Sequence, residues 1–329
     1  MKVTIKDIAK MAGVSHPTVS KALNNEPGIN SETRNKILMI AKQVNYVPNF
    51  AAKRLADQKT NSIGLIWPQN EGLFFYHLCN NIQKEATKIG VSVIMSMANP
   101  ALALRNFNEH FVDMIIAWLP PDWVPSVEFL KEREHFQGKL LVMGGGQISD
   151  AHRITIDRKS GLHSSVKYLA QLGHRKIVYI GAQNDKMVGF MQGLLELNLE
   201  YHPDYLLVVD DKFEVSEEKL ISLLTGDKKP TALIADSQGT LFMLVKILRR
   251  HQIRIPDDFS LIVYDDIPEM EIFDIPLTSV GPSIKSLVSE ALNIFLDKNP
   301  QTASNPWVNI EVIPELTIRQ STRTLSSSS

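Results

Sequence analysis

Apolar residues recur along this chain in two rhythms. The first occupies residues 1–47. Ile5, Ile8 and Ala9 fall at helical spacing, as do Val19 and Leu23, then Ile37, Ile40, Ala41 and Val44. A residue suited to cap a helix precedes each group: Thr4, Ser15 and Asn30. Thr4 is followed three positions later by Asp7, the spacing of a capping box. Gly13 sits where a tight turn must separate the first two groups, and Asn24-Asn25-Glu26-Pro27-Gly28 reads as a loop. The pattern predicts three short helices, the second running from Ser15 to about Asn24.

The second rhythm fills the rest of the chain. Pro48 closes the helical region, Asn49 can cap a short segment from Phe50 to Ala56, and residues 57–61 are polar. So short a helix is marginal on its own in water. Ile63-Gly64-Leu65-Ile66-Trp67 is then a compact apolar run of the kind buried in a parallel sheet. Further strands are expected at 91–97, 112–118, 139–143, 177–181, 205–209, 231–235 and 260–264, with a last one near 308–312. Amphipathic helices are expected between them, at 74–89, 127–136, 159–172, 186–198, 215–225, 238–251 and 283–296. Alternation of this kind specifies an α/β fold of βαβ units and parallel sheets. The stretch is long for one sheet, so it divides into two lobes. The expected organisation is a helical unit at 1–47, a linker at 48–61 and a body at 62–329. Its lobes are 62–150 plus 281–308, and 151–280 plus 309–324. The serine-rich tail 325–329 is expected to be disordered.

Charge changes the picture at one end. Residues 1–60 carry Lys2, Lys6, Lys10, Lys21, Arg34, Lys36, Lys42, Lys53, Arg54 and Lys59 against Asp7, Glu26, Glu32 and Asp57, a net of +6. The whole chain is −1, so the remainder is −7. A basic head on an acidic body suits a polyanionic partner at the head, although a solvated basic face has the same composition. Apolar residues make up 44% of the chain, enough for a sizeable core. Cys79 is the single cysteine, which rules out an internal disulfide and fits a reducing compartment. Asp7 interrupts the region a secretory signal needs to be apolar, and no window reaches the roughly 20 apolar residues of a membrane helix. A cytoplasmic protein with no membrane contact is expected.

The most specific motif lies between Ile5 and Asn24. A helix, an Ala-Gly turn and Ser15-His16-Pro17-Thr18-Val19-Ser20-Lys21 have the layout of a helix-turn-helix, whose second helix presents its first residues to base edges in the major groove. Pro17 falls in the first turn, where a missing N–H costs nothing. Helical hairpins of other kinds share this spacing, so geometry alone leaves both readings open.

Resemblance closes the gap. Val3-Thr4-Ile5-Lys6-Asp7-Ile8-Ala9, Ala12-Gly13-Val14-Ser15, Thr18-Val19-Ser20-Lys21-Ala22-Leu23-Asn24, Tyr46-Val47-Pro48-Asn49 and Leu55-Ala56 resemble the headpiece of the lactose and galactose repressor family. The likeness continues through Ile63-Gly64-Leu65-Ile66, Phe74-Phe75, Gly173-His174-Arg175-Lys176-Ile177, Gly189-Phe190, Ile255-Pro256-Asp257-Asp258, Asp265-Asp266, Pro276-Leu277-Thr278-Ser279-Val280 and Pro314-Glu315-Leu316. It implies a helix-turn-helix headpiece joined by a hinge helix to a two-lobed body like the periplasmic binding proteins. It also implies a transcription repressor that binds a pseudo-palindromic double-stranded operator as a homodimer, under control of a small effector between the lobes. By the same likeness Thr4, Ser15, His16, Pro17, Thr18, Ser20, Lys21 and Asn24 face DNA. Asn49, Ala52, Lys53 and Leu55 belong to the hinge, with Leu55 the residue that wedges into the minor groove. Lys21 stands where the family usually has Arg, which exchanges a rigid fork for a mobile point charge.

The implied effector residues are Phe74, Phe75, Asp157, Lys186, Asp236 and Asp265, a set suited to a sugar or sugar derivative. Carboxylates accept from hydroxyls, an ammonium meets an oxygen or an acidic group, and a ring can stack on Phe74. Three positions depart from the family pattern. Lys186 replaces an Arg, Asp236-Ser237 replaces Asn-Asp, and Asp157-Arg158 replaces Asp-Asn. The same DNA-binding role under a protein partner, or without an effector, therefore stays open. Trp118 and Trp123 flank Pro120-Pro121 at another strand end, a second candidate cleft wall.

Other chemistries find little support. Gly144-Gly145-Gly146 lacks the Lys-Ser/Thr that follows a phosphate loop and reads as a strand-end turn. The nine His show no metal spacing, and no cofactor is expected. Trp67-Pro68-Gln69-Asn70-Glu71-Gly72 does not supply the Gly-x-Gly-x-x-Gly of a dinucleotide-binding enzyme. Asp265-Asp266 has no His, Cys or nucleophile elbow beside it, so an enzyme is not expected. An exported solute-binding protein would need a leader and no basic head. The tail lacks the heptads of a tetramerising coiled coil, which favours a dimer.

Overall fold

The computed structural model describes residues 3–23, 25–46, 60–67, 72–210, 215–298 and 306–325. The chain separates into two units, one ending at Thr60 and one beginning at Asn61. The hinge residues Asn49, Ala52, Lys53 and Leu55, together with Asn24 and the tail beyond Leu325, lie outside the described residues.

The first unit is a three-helix head: α1 (Ile5–Ala12), α2 (His16–Leu23) and α3 (Ser31–Gln43). Its local signals act as their chemistry dictates. Thr4 and Asp7 form the reciprocal capping box. Gly13 ends α1 at φ 71, a left-handed conformation that costs glycine nothing. Asn30 caps α3 by accepting from Thr33 N at 2.7 Å. Ile8, Val19, Ala22 and Ile37 close a small core between the three helices. Lys36 Nζ donates to the Ala12 carbonyl at 3.0 Å, satisfying one of the orphan acceptors at the end of α1.

The second unit holds two six-stranded sheets. The first contains β1 (Ser62–Ile66), β2 (Ser92–Ser96), β3 (Met114–Trp118), β4 (Lys139–Met143), β5 (His152–Ile156) and β11 (Asn309–Val312), in the order β11-β5-β4-β3-β1-β2 with every pairing parallel. The second contains β6 (Ile177–Gly181), β7 (Leu206–Val208), β8 (Ala232–Ala235), β9 (Ser260–Tyr264), β10 (Thr278–Gly281) and β12 (Glu315–Thr317), in the order β12-β10-β9-β8-β6-β7. Only the β10–β12 pairing is antiparallel. Strands β1, β3, β6, β8 and β9 are buried at every position, as continuous apolar runs require in a sheet covered on both faces.

Helices α4 (Leu73–Lys88), α5 (Pro100–His110), α6 (Val127–His135) and α11 (Ile284–Phe295) pack in lobe 1. Helices α7 (Arg158–Gln171), α8 (Asp185–Glu196), α9 (Glu217–Thr225) and α10 (Gln238–Arg250) pack in lobe 2. No helix among the described residues is long and apolar enough to cross a membrane.

The expected lobe borders need correction. β5 pairs with β4 and β11 pairs with β5, so both belong to lobe 1, not to lobe 2 as the borders at 151 and 309 assign them. The chain crosses between lobes three times: at Asp157, at Pro282-Ser283 and at Ile313-Pro314. Hydrophobic spacing reports that a strand exists but not which sheet it joins, because that choice is made by pairing, which for β11 reaches back to β5 across 156 residues of sequence.

Besides two 3₁₀ turns, Pro203–Tyr205 and Pro268–Glu271, one helix and three strands are additions to the sequence reading: α5, β5, β10 and β12. Helix α5 carries its own start signal, with Asn99 accepting from Leu102 N at 3.0 Å and Pro100 in the first turn. β10 and β12 have only four and three residues, too few for periodicity to mark them.

Candidate functional site

The head presents the predicted recognition residues on one helix. Ser15, His16, Pro17 and Lys21 are exposed, and Thr18 and Ser20 are half-buried, while Val19 and Ala22 of the same helix face the core. The α2 surface is therefore free along the side the sequence assigns to DNA. Ser15 caps the helix: its Oγ accepts from Thr18 N at 3.4 Å and lies 2.8 Å from Thr18 Oγ1. Thr4, also exposed, is occupied by its own capping box, with Oγ1 donating to Asp7 Oδ2 at 2.7 Å. The hydrogen bonds from Thr4 hold the Asp7 carboxyl below its ordinary range, so it stays ionised at the α1 N-terminus, where the helix dipole favours a negative charge.

In the second unit a cavity of about 1150 Å³ opens between the lobes. Of the six predicted effector residues, Phe74, Phe75, Lys186 and Asp265 line it. The lobe 1 wall is aromatic. The Phe75 ring meets Trp118 at 5.0 Å and Trp67 at 4.8 Å, and Phe74 meets Trp118 at 5.9 Å, all edge-on. Leu119, Pro120, Pro121 and Ile156 extend this apolar side. Trp123 packs on Phe129 at 5.0 Å and is not among the lining residues. The triple glycine behind this wall is the expected turn. Gly144 and Gly146 have φ 85 and 92, and a Cβ on Gly145 would lie 2.4 Å from Pro121 Cα.

The lobe 2 wall is polar. Asp265 follows β9 with φ 82, a left-handed conformation unusual outside glycine and of the kind that strained functional positions hold. Gly281 makes that backbone fit, since a Cβ there would meet Asp266 N at 2.6 Å. Burial raises the Asp265 carboxyl above its ordinary range, against the pull of Lys186 and of a 3.4 Å hydrogen bond from Gln238 Nε2. Lys186 Nζ lies 4.0 Å from the centre of the Tyr264 ring and donates to the Asp236 carbonyl at 2.6 Å.

Two predicted residues are corrected. Asp236 is 3% exposed, and its carboxylate accepts from Ala182 N at 2.9 Å and from Thr240 Oγ1 at 2.8 Å. It braces the end of β8 beneath the cleft rather than lining it. Asp157 caps α7, accepting from Ser160 N at 3.0 Å, and those bonds hold it below its ordinary range. A residue just after a strand end can serve the cleft or the scaffold beneath it; Asp157 is taken by the helix it caps and Asp236 by the Ala182 amide and the Thr240 hydroxyl.

Arg158, Tyr264 and Gln238 line the cavity without having been expected to. Arg158 was legible as a departure from the family pattern. Gln238 could be found only from the fold, because its Oε1 accepts from Leu73 N, 165 residues away, at 2.8 Å. Among the described residues no group of His, Cys, Asp and Glu is placed to hold a metal ion. Burial pushes the Cys79 thiol up to about 11, which keeps it protonated and poorly nucleophilic at neutral pH. The second acid of the Asp265-Asp266 pair is structural, tied to Arg319 at 2.8 Å and to Ser279 Oγ at 2.7 Å.

Comparison with known proteins agrees at both ends of the chain. Residues 4–49 match the model for bacterial regulatory proteins of the lacI family, and residues 166–322 match a periplasmic binding protein-like domain. The chain is 28% identical over 334 residues to the HTH-type transcriptional repressor PurR of Histophilus somni, covering 98% of this chain and 99% of that protein. It is 27% identical over 338 residues to the repressor of the same name from Vibrio cholerae, with 99% of each covered. Among solved structures, the Lac repressor dimer bound to operator and an anti-inducer superposes with a TM-score of 0.79 at 20% identity, covering 98% of this chain and all of that one. The regulator CelR in complex with cellobiose gives 0.63 at 19% identity, covering 97% and 99%.

Proposed function

The chain belongs to the lacI family of bacterial regulatory proteins and is a DNA-binding transcription regulator of the repressor type, and from that premise we propose that it grips a twofold-symmetric operator as a homodimer, with a small ligand between its lobes setting the grip. The observation that carries the DNA-binding part is the exposed edge of α2. Ser15, His16, Pro17 and Lys21 are exposed on a basic unit whose other helical faces make its core. Lys21 supplies a charge to a guanine edge, His16 a ring nitrogen, and Pro17 an apolar contact such as a thymine methyl. The hinge segment 49–56 adds Leu55 as minor-groove wedge and Lys53 as a backbone contact. The place of action is the cytoplasm, where the operator is.

Support for the ligand is the cavity itself, large enough for a sugar derivative and lined by an aromatic wall facing a polar one. A ligand touching both walls binds one degree of lobe closure better than another. That difference must reach a few kcal/mol to switch an operator. Footprinting of the purified full chain tests the proposal. Two half-sites about one helical turn apart are expected, and an asymmetric site bound by a monomer refutes the dimeric reading. Titrating small carbohydrates into that complex tests the ligand. A sugar that releases or tightens wild type but acts equally on Asp265→Ala places the site elsewhere.

A further inference from the structure

The two walls of the cleft differ in charge as well as polarity. Arg158 and Lys186 both line it from lobe 2, and among the described residues each side chain donates to a backbone carbonyl rather than to a carboxylate. Their side chains donate to neutral carbonyls: Arg158 Nη1 to Gly144 O at 3.1 Å and Lys186 Nζ to Asp236 O at 2.6 Å. Tyr264 lines the same wall, with Lys186 over its ring at 4.0 Å. Tyr264 is 3% exposed, and its hydroxyl is buried with no hydrogen-bond partner among the described residues. A buried hydroxyl left unpaired is costly, so an acceptor brought to this wall regains part of that. Arg158 also opens α7 and Lys186 lies in the first turn of α8, helices of 14 and 12 residues whose N-terminal ends add partial positive charge.

Resting on the effector reading above, we propose that the cleft ligand carries an anionic group, phosphoryl or carboxylate, seated by Arg158, Lys186 and Tyr264, while its ring lies against Phe74, Phe75 and Trp118. A neutral sugar would leave both half-buried cations of this wall without an anionic partner on the ligand. An oxyanion accepts from the planar guanidinium in bidentate fashion and from the ammonium as a point charge. The position where the family usually has Asn therefore adds a cation to the wall, and the ligand chemistry changes with it.

Isothermal titration calorimetry of the full chain at fixed ionic strength tests this with glucose, glucose 6-phosphate and glucuronate, and with inorganic phosphate as the bare ion. At least one charged sugar is expected to bind tenfold or more tightly than glucose, and its identity separates phosphoryl from carboxylate. Arg158→Gln and Lys186→Gln should each narrow that ratio several-fold, with melting temperatures near wild type. Anion binding to the basic head is recognised by its survival in both variants, and that outcome overturns the proposal. Glucose binding as tightly as the charged sugars overturns it too but leaves the effector reading intact. No binding by any of the four compounds counts against both, and binding of inorganic phosphate alone marks an adventitious ion only.

Discussion

His77 and Glu269 join the two lobes directly: the imidazole Nε2 lies 2.8 Å from one carboxylate oxygen and 2.9 Å from the other. His77 projects from α4 in lobe 1, and Glu269 belongs to the 3₁₀ turn Pro268–Glu271 between β9 and β10 in lobe 2. Their side chains are 17% and 26% exposed, so the contact is partly screened by water. Two further ties cross the cleft, Leu73 N to Gln238 Oε1 at 2.8 Å and Arg158 Nη1 to Gly144 O at 3.1 Å. A double-mutant cycle on His77→Ala and Glu269→Ala, read by urea unfolding, should return a coupling of about 0.5–1.5 kcal/mol, the net worth of one hydrogen bond. Additive single effects would show that the pair does not hold the lobes.

The packing of α7 on α8 depends on two glycines four residues apart. A Cβ on Gly189 would come within 2.1 Å of the Lys159 carbonyl oxygen, and one on Gly193 within 2.8 Å of Val166 Cβ. The first obstacle is backbone and cannot swing aside. Gly189→Ala should therefore destabilise by about 1–3 kcal/mol or more, as overpacking does, despite the better helix propensity of alanine. Thermal unfolding that leaves Gly189→Ala at or above wild type contradicts the close approach.

Acid should weaken the body through its buried histidines. His174 is fully buried, with Nε2 donating to the Arg323 carbonyl at 3.1 Å and Nδ1 2.8 Å from Thr231 Oγ1. Burial lowers its pKa below the ordinary 6.5, and burial followed by Lys139 does the same for His152. A histidine depressed in the fold binds fewer protons than in the unfolded chain. The stability it supports is full above pH 6.5 and falls as pH drops toward the folded value. Melting temperature should decline between pH 7.5 and 5.5, and His174→Asn should flatten that slope whatever it does to the melting temperature at pH 7.5.

The α2 surface should separate binding from stability. His16→Ala and Lys21→Ala remove exposed side chains, so unfolding free energies should move by no more than about 0.5 kcal/mol. Each should cost about 1–3 kcal/mol in specific operator binding, the scale of one lost base-pair match, measured by fluorescence anisotropy at fixed salt. Equal losses on specific and random DNA would move these residues from base edges to phosphates.

Local chemistry wrote the head into the sequence. Thr4, Asp7, Gly13, Ser15 and Asn30 each act on backbone within four residues, so the caps, the turn and the helix they frame follow from neighbours alone. The α/β rhythm of the body is equally local, because alternation of apolar strand and amphipathic helix repeats within a few tens of residues. One cleft position was legible for a related reason: Asp265 sits just beyond the end of β9, where parallel sheets face their ligands, while Phe74, in the first turn of α4, was legible from the family resemblance. The tertiary structure decided the rest. Only strand pairing put β5 and β11 in lobe 1, since Arg153 and Asn309 become neighbours across 156 residues of chain. Only helix capping took Asp157 away from the cleft, only the brace to Ala182 N and Thr240 Oγ1 took Asp236, and only the meeting of two lobes put Gln238 against Leu73. Capping and periodicity are short-range and survive in a linear reading. The side of a cleft on which a charge stands is a long-range fact, fixed when two sheets assembled from interleaved segments close on each other.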